Sequence, residues 1–152
     1  MTKHKTDQTD QAAAFVIAWR ALAPEYAHLD ARHAGHPDGE YHFHKGRKWR
    51  FDWCIPALKV AVEIDGGNWM CRRTRTGRYI AVGGHTQDAD YRKLNAATLD
   101  GWRVLRFTTT MLRDPERCVA QVKRVVRNVL QYYEEQSRPN TAWSGRGTRT
   151  GG

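Results

Sequence analysis

The chain predicts an α/β domain: a helix, a three-stranded antiparallel meander, a second helix, a parallel strand and a C-terminal helix. Three observations predict it. Residues 60–65 alternate, with Val60, Val62 and Ile64 on one face and Ala61, Glu63 and Asp65 on the other, the period of a strand. A helical pattern over 88–100 separates that strand from a second apolar run, residues 102–108; strand, helix, strand favours a parallel crossover. Asp114-Pro115-Glu116 then combines a cap, a first-position proline and a first-turn acid, a strong helix start.

Taken in order, residues 1–9 are polar, and Asp10 is placed to cap a helix over 11–23. Phe15, Trp19 and Leu22 form its expected buried stripe, and Pro24 ends it. Residues 25–39 read as a loop broken by Gly35, Pro37 and Gly39. Residues 40–44 read as a strand, Lys45-Gly46 as a turn, and residues 49–54 as the next strand. Regular alternation there sets Trp49, Phe51 and Trp53 on one face and Arg50, Asp52 and Cys54 on the other. A turn at 55–58 leads into residues 60–65. An antiparallel pairing of these strands brings Asp52 near Glu63 and Asp65, and returns Glu40 to the same neighbourhood as a fourth carboxylate. Clustered carboxylates repel unless a proton or cation neutralises them, and hard divalent cations take such oxygen ligands.

After Gly66-Gly67, Arg72, Arg73, Arg75 and Arg78 put four arginines in seven residues. This stretch reads as a mobile basic loop leaving the acidic strand, with residues 79–82 as a short strand extension, and is placed to hold phosphates. The second helix opens at Asp88 or the residue before it and stops at Gly101. Asp90, Lys93 and Ala97 share a helix face, where Asp90 is positioned to orient Lys93. The last helix runs to about residue 136 and should bury Val119, Val122, Val126, Val129 and Tyr133. Arg117, Lys123, Arg124 and Arg127 are left to solvent or a polyanion. Residues 137–152 contain three arginines and no acid, a flexible basic tail after a single domain over 1–136.

Twenty-five Lys and Arg against sixteen Asp and Glu leave a net charge of +9 in 152 residues. That excess suits a nucleic-acid partner. No apolar run is long enough for a bilayer and no signal peptide is evident, so a membrane protein is excluded and the cytoplasm is expected, the host's if the chain is phage-encoded. Cys54, Cys71 and Cys118 have no paired spacing and read as free thiols. His33, His36, His42 and His44 lack cysteines at finger spacing and read as surface histidines rather than a zinc site.

Residues 40–112, about half the chain, resemble small phage and bacterial endonuclease domains related to the very-short-patch repair endonuclease, within the PD-(D/E)XK nuclease superfamily. The matching segments are Arg50-Phe51-Asp52, Val62-Glu63-Ile64-Asp65-Gly66-Gly67, Asp90-Tyr91-Arg92-Lys93-Leu94-Asn95 and Gly101-Trp102-Arg103-Val104-Leu105-Arg106-Phe107. The resemblance implies a restriction-endonuclease-like core and DNA phosphodiester hydrolysis dependent on Mg²⁺, with Mn²⁺ as a substitute. It assigns Asp52 and Glu63 to the metal, with Glu40 or Asp65 available as further ligands. The superfamily lysine two residues after the second acid is replaced by Asp65; Lys93 on the following helix is the candidate for its role. Asp65 or His85 would take the proton from the attacking water, and Arg72, Arg73, Arg75, Arg78 and His85 would meet DNA. One ion or two remains open.

The small single domain, its basic charge and the absence of a separate sequence-reading module favour a Holliday-junction resolvase acting on branched DNA as a homodimer. A mismatch-type strand-nicking repair endonuclease is the alternative, disfavoured because the zinc ligands of the very-short-patch enzymes are missing. A non-catalytic DNA-binding module is the third reading.

Overall fold

The computed structural model describes residues 3–32, 41–65, 71–73, 75–76, 79–81 and 84–139, with backbone alone for 3–11, 71–73, 79–81 and 84–87. It is a mixed α/β chain. In order come α1 (Lys3–Leu22), a 3₁₀ helix (Pro24–Leu29), β1 (Tyr41–His42), β2 (Arg50–Phe51), β3 (Trp53–Ile55), β4 (Val60–Asp65), β5 (Cys71–Arg73), β6 (Tyr79–Ala81), α2 (Gly84–Leu99), β7 (Arg103–Thr108) and α3 (Pro115–Ser137).

The central sheet has the order β3-β4-β7; β1 and β2 pair antiparallel as a separate hairpin, Tyr41 opposite Phe51, so the expected three-stranded meander is divided between two sheets. β3 runs antiparallel to β4, with Trp53 opposite Val62 and Ile55 opposite Val60. β7 runs parallel to β4, from Val60 opposite Arg103 to Asp65 opposite Thr108, as the strand–helix–strand order predicts. The alternation of β4 then sorts its side chains. Val60, Val62 and Ile64 enter one core with Phe15, Val16 and Trp19 of α1 and Cys118, Val119, Val122, Val126 and Val129 of α3. Ala61 enters a second, with Cys54, Phe51, Trp102 and Ala97 of α2. The sheet is thus covered by α1 and α3 on one face and by α2 on the other. Each fully buried valine contributes about 1.5–3 kcal/mol of transfer free energy, so α3 docks chiefly through its Val stripe.

The helix ends follow their capping chemistry. Asp114 Oδ1 accepts the Arg117 N–H at 3.1 Å and Pro115 opens α3. At the end of α2, Gly101 takes φ +81; its N–H donates to Thr98 O, and the Trp102 N–H to Ala97 O, at 2.9 Å each. That pair of bonds is a Schellman cap, which a Cβ would strain. Gly101→Ala is therefore expected to cost about 1 kcal/mol, read as a shift in denaturant midpoint at constant slope.

Several expectations are corrected. α1 starts at Lys3, so Asp10 lies inside the helix rather than capping it. Leu22 is exposed, and its place in the buried stripe is taken by Val16 and Ala23. Tyr133, in the last turns of α3, is also exposed. Lys123 is not left to solvent: it pairs with Glu25 at 2.7 Å and donates to Leu22 O at 3.0 Å, tying α3 to the end of α1. The arginine-rich segment is not wholly a loop, since Cys71–Arg73 pairs antiparallel with Tyr79–Ala81. α2 begins at Gly84, before Asp88. Cys54 and Cys118 are free and buried, as expected; burial pushes the Cys54 thiol up to about 12, which leaves it inert. His33, His36 and the 140–152 part of the tail lie outside the described residues. Among the described residues no helix is long and apolar enough to cross a membrane.

Candidate active site

The site begins with an interruption. In a regular strand Phe51 and Trp53 share a face. Here Phe51 and Cys54 lie in the α2-side core, whereas Trp53 and Ile55 lie in the other. One extra residue, Asp52, sits at a bend where the chain passes from β2, paired with β1, to β3, paired with β4, and it kinks the strand as a bulge does. The Asp52 carboxylate stands in for a ladder bond where the β3–β4 pairing ends: Oδ2 accepts the Ile64 N–H of β4 at 2.7 Å. The bulge and the carboxylate are one device, since a backbone N–H left there without an acceptor is costly. The regular alternation expected for residues 49–54 is corrected accordingly.

Glu63 comes from β4 on the α2 side. Lys93 of α2 reaches down to it, with Nζ 2.7 Å from Oε1; the two side chains are only 18% and 17% exposed. Four residues on, Ala97 is fully buried and its small side chain lets α2 come close to the sheet. Lys93 Nζ also lies 5.7 Å from the centre of the Phe51 ring. Phe51 is itself fixed by stacking on Phe43 at 4.3 Å and by Trp102 at 4.7 Å. An aromatic bracket thus holds the residue before Asp52 and the cation that faces Glu63. The expected orientation of Lys93 by Asp90 is replaced by the strand carboxylate.

Asp65 ends β4 on the same face. Its Oδ1 accepts from Arg106 Nη2 at 2.7 Å, and both side chains are more than one-third exposed. Arg106 stands opposite Glu63 in the parallel register. Sequence reasoning missed Arg106 as a site residue. The signal was present: Leu105 and Phe107 belong to the apolar face of β7, so Arg106 must join the acids.

Electrostatics mark the two inner carboxylates. Burial raises the Asp52 carboxyl above its ordinary value, and the charge of Asp65 adds to this; the Ile64 N–H and Lys93 oppose it. Burial pushes Glu63 up to about 7, against the attraction of Lys93 and with a further push from Asp52. Two acids that hold back from ionising beside one another are poised for a cation.

Comparison with protein-family models, curated proteins and solved structures finds no match.

The donor chemistry fits a hard cation. Asp52 and Glu63 supply carboxylate oxygens from adjacent strands, and Mg²⁺ is usually held by one or two carboxylates with water and substrate phosphate completing its shell. Among the described residues no group of three His, Cys, Asp or Glu forms a complete cage, and Asp65 is engaged by Arg106 at the rim. Glu40 and Arg78 lie outside the described residues. Arg72 and Arg73 have their backbone in β5, opposite Ile80 and Tyr79, and His85 in the first turn of α2, with no side chain described. Arg75 is exposed in the turn between β5 and β6.

The Glu63 shift carries a pH dependence. Its folded value lies above the ordinary 4.5, so the folded state binds more protons than the unfolded state between about pH 4.5 and 7. Stability falls as pH rises through that window, by roughly 3 kcal/mol in all. Urea titrations from about pH 5 to about pH 8 should show this decline, and Glu63→Gln should flatten it. A bound cation should recover stability at the upper end, where the carboxylate is ionised.

Proposed function

We propose that the chain is a divalent-cation-dependent DNA endonuclease with a restriction-endonuclease-like core of the PD-(D/E)XK type, and that four-way junctions are its preferred substrate. The observation that carries the reading is the meeting of Asp52 and Glu63 under Lys93: two raised carboxyls on neighbouring strands and one cation from the covering helix. The net charge of +9 supports a polyanionic substrate.

Asp52 and Glu63 are the residues that would hold Mg²⁺ or Mn²⁺. When bound, the ion supplies charge stabilisation at the phosphoryl group and water activation. Asp52 remains tied to the β4 backbone through the Ile64 N–H, which fixes its carboxylate without a flexible partner. Lys93 brings its positive charge to the same point, where a pentacovalent phosphoryl group gathers negative charge. Asp65, oriented by Arg106, is a candidate to accept the proton of the attacking water; His85 is the other. The aromatic bracket of Phe43, Phe51 and Trp102 keeps Lys93 and Asp52 in register.

Labelled four-way junction, plain duplex and mismatched duplex, each with Mg²⁺ and with chelator, test the reading. Paired symmetric nicks in the junction, abolished by chelator, are expected from a dimer visible by light scattering at micromolar concentration. Equal cutting of plain duplex points to a general nuclease. A single nick at the mismatch by a monomer points to the repair endonuclease.

One observation favours a second reading. Each carboxylate already has an internal partner: the Ile64 N–H, Lys93 and Arg106. A non-catalytic DNA-binding module needs no more than that. Tight junction binding by the parent and by Asp52→Asn, with no cleavage by either in Mg²⁺ or Mn²⁺, would support it.

A further inference from the structure

The β1–β2 hairpin carries a charge pattern that the acidic site does not use. Residues 41–51 contain no acid, and His42, His44, Lys45, Arg47 and Lys48 follow one another around its tip. With Gly46 they line an open cavity of about 440 Å³. Lys45, Arg47 and Lys48 are exposed, and among the described residues no carboxylate pairs with any of the three. A surface built only to be soluble mixes signs; here one sign is gathered on one tip.

The tip is also held in shape. The Gly46 N–H donates to His44 Nδ1 at 3.1 Å. A Cβ at Gly46 would stand 3.4 Å from His44 Cε1, so the backbone passes close under that ring. Trp49 packs edge-on against His44 at 5.2 Å and carries the Arg47 guanidinium 5.7 Å from its centre. Phe43 stacks between Trp49 and Phe51 at 6.4 and 4.3 Å. Arg47 is thus mounted on a stack whose far end is the residue before Asp52. Arg47 lies five residue steps from Asp52, a reach of no more than about 18 Å, or roughly five base-pair rises along a duplex.

We propose that this hairpin is a clamp for the phosphate backbone of a DNA arm beside the cleaved phosphate. The proposal rests on the reading of the protein as a DNA endonuclease. Rigidly spaced donors and guanidinium or ammonium groups suit the regular single charges of a nucleic-acid backbone; an acidic peptide needs no such rigidity.

The test compares the parent, the triple variant Lys45→Gln/Arg47→Gln/Lys48→Gln and Asp52→Asn. All three altered clamp residues are exposed, so the fold should hold, checked by circular dichroism. Binding to labelled junction and duplex in chelator is followed by fluorescence anisotropy over a range of salt. The triple variant is expected to bind roughly tenfold or more weakly near 0.1 M salt, and its log K against log salt slope to drop by about 2 to 3. Asp52→Asn controls for the acidic site: with one negative charge fewer beside the phosphate, it should not bind more weakly than the parent. An unchanged slope in the triple variant overturns the clamp even if the parent cleaves DNA. A lost slope with a parent that cuts no DNA leaves the clamp standing and removes the nuclease. Parent binding to a polyglutamate peptide as tightly as to DNA, or no parent binding to DNA at all, overturns the clamp as well.

Discussion

Asp52→Asn is expected to lower Mg²⁺-dependent junction cleavage by roughly 10³-fold, the loss of several kcal/mol of transition-state stabilisation. The same substitution should leave the fold almost untouched. The Asn side-chain oxygen still accepts the Ile64 N–H, which the Asp52 carboxylate holds at 2.7 Å. Asp52→Ala removes the acceptor as well as the charge and should lose a further 1–3 kcal/mol of stability, approximately, as a backbone donor is left unpaired. Single-turnover cleavage rates and urea unfolding of both variants separate the two effects. If Asn and Ala prove equally stable, the carboxylate is not what closes the bulge. If Asn cuts like the parent, Asp52 holds no ion.

Trp19→Ala is the substitution with the largest expected structural effect. Trp19 is fully buried; its ring lies 4.8 Å from Trp53 and 6.3 Å from Tyr26. Phe15 completes the group, 5.4 Å from Trp53. Removing the indole leaves a cavity where α1, the 3₁₀ helix and β3 meet. The expected loss is about 3–5 kcal/mol, or roughly 10 °C in melting temperature for a domain of this size. Trp53 opens β3 directly after Asp52, so cation-dependent stabilisation should weaken in parallel. A melt lowered by only about a degree would mean that α1 contributes little to the core.

The parts legible in the sequence are those where one period runs unbroken. β4 alternates through six residues, and its apolar side chains divide between the two cores as the alternation demands. The Asp114-Pro115-Glu116 start and the Gly101 stop rest on local backbone chemistry, so they needed no knowledge of the fold. The approach of Asp52 to Glu63 was also legible, because antiparallel pairing of two neighbouring strands leaves few registers. What was not legible depended on tertiary contact. The bulge at Asp52 has no glycine or proline to announce it, and only the two cores show that Phe51 and Trp53 part company. The partner of Lys93 was misjudged because i, i+3 spacing sees only its own helix, whereas Glu63 arrives from a strand thirty residues away. Arg106 was passed over because β7 was read as an apolar run and its alternation was not carried across the parallel register to Glu63. The β5–β6 pairing hid in an arginine-rich segment whose composition suggests a loop.

The central claim is that Asp52 and Glu63 together hold a divalent cation. Titration of Mn²⁺ into the protein, followed by electron paramagnetic resonance of the free ion, tests it without any substrate. Saturable binding should appear at about pH 8, weaken as the pH is lowered through about 7 where Glu63 takes up its proton, and vanish in both Asp52→Asn and Glu63→Gln. Binding that persists unchanged in the two variants, or no binding at millimolar Mn²⁺, would contradict it.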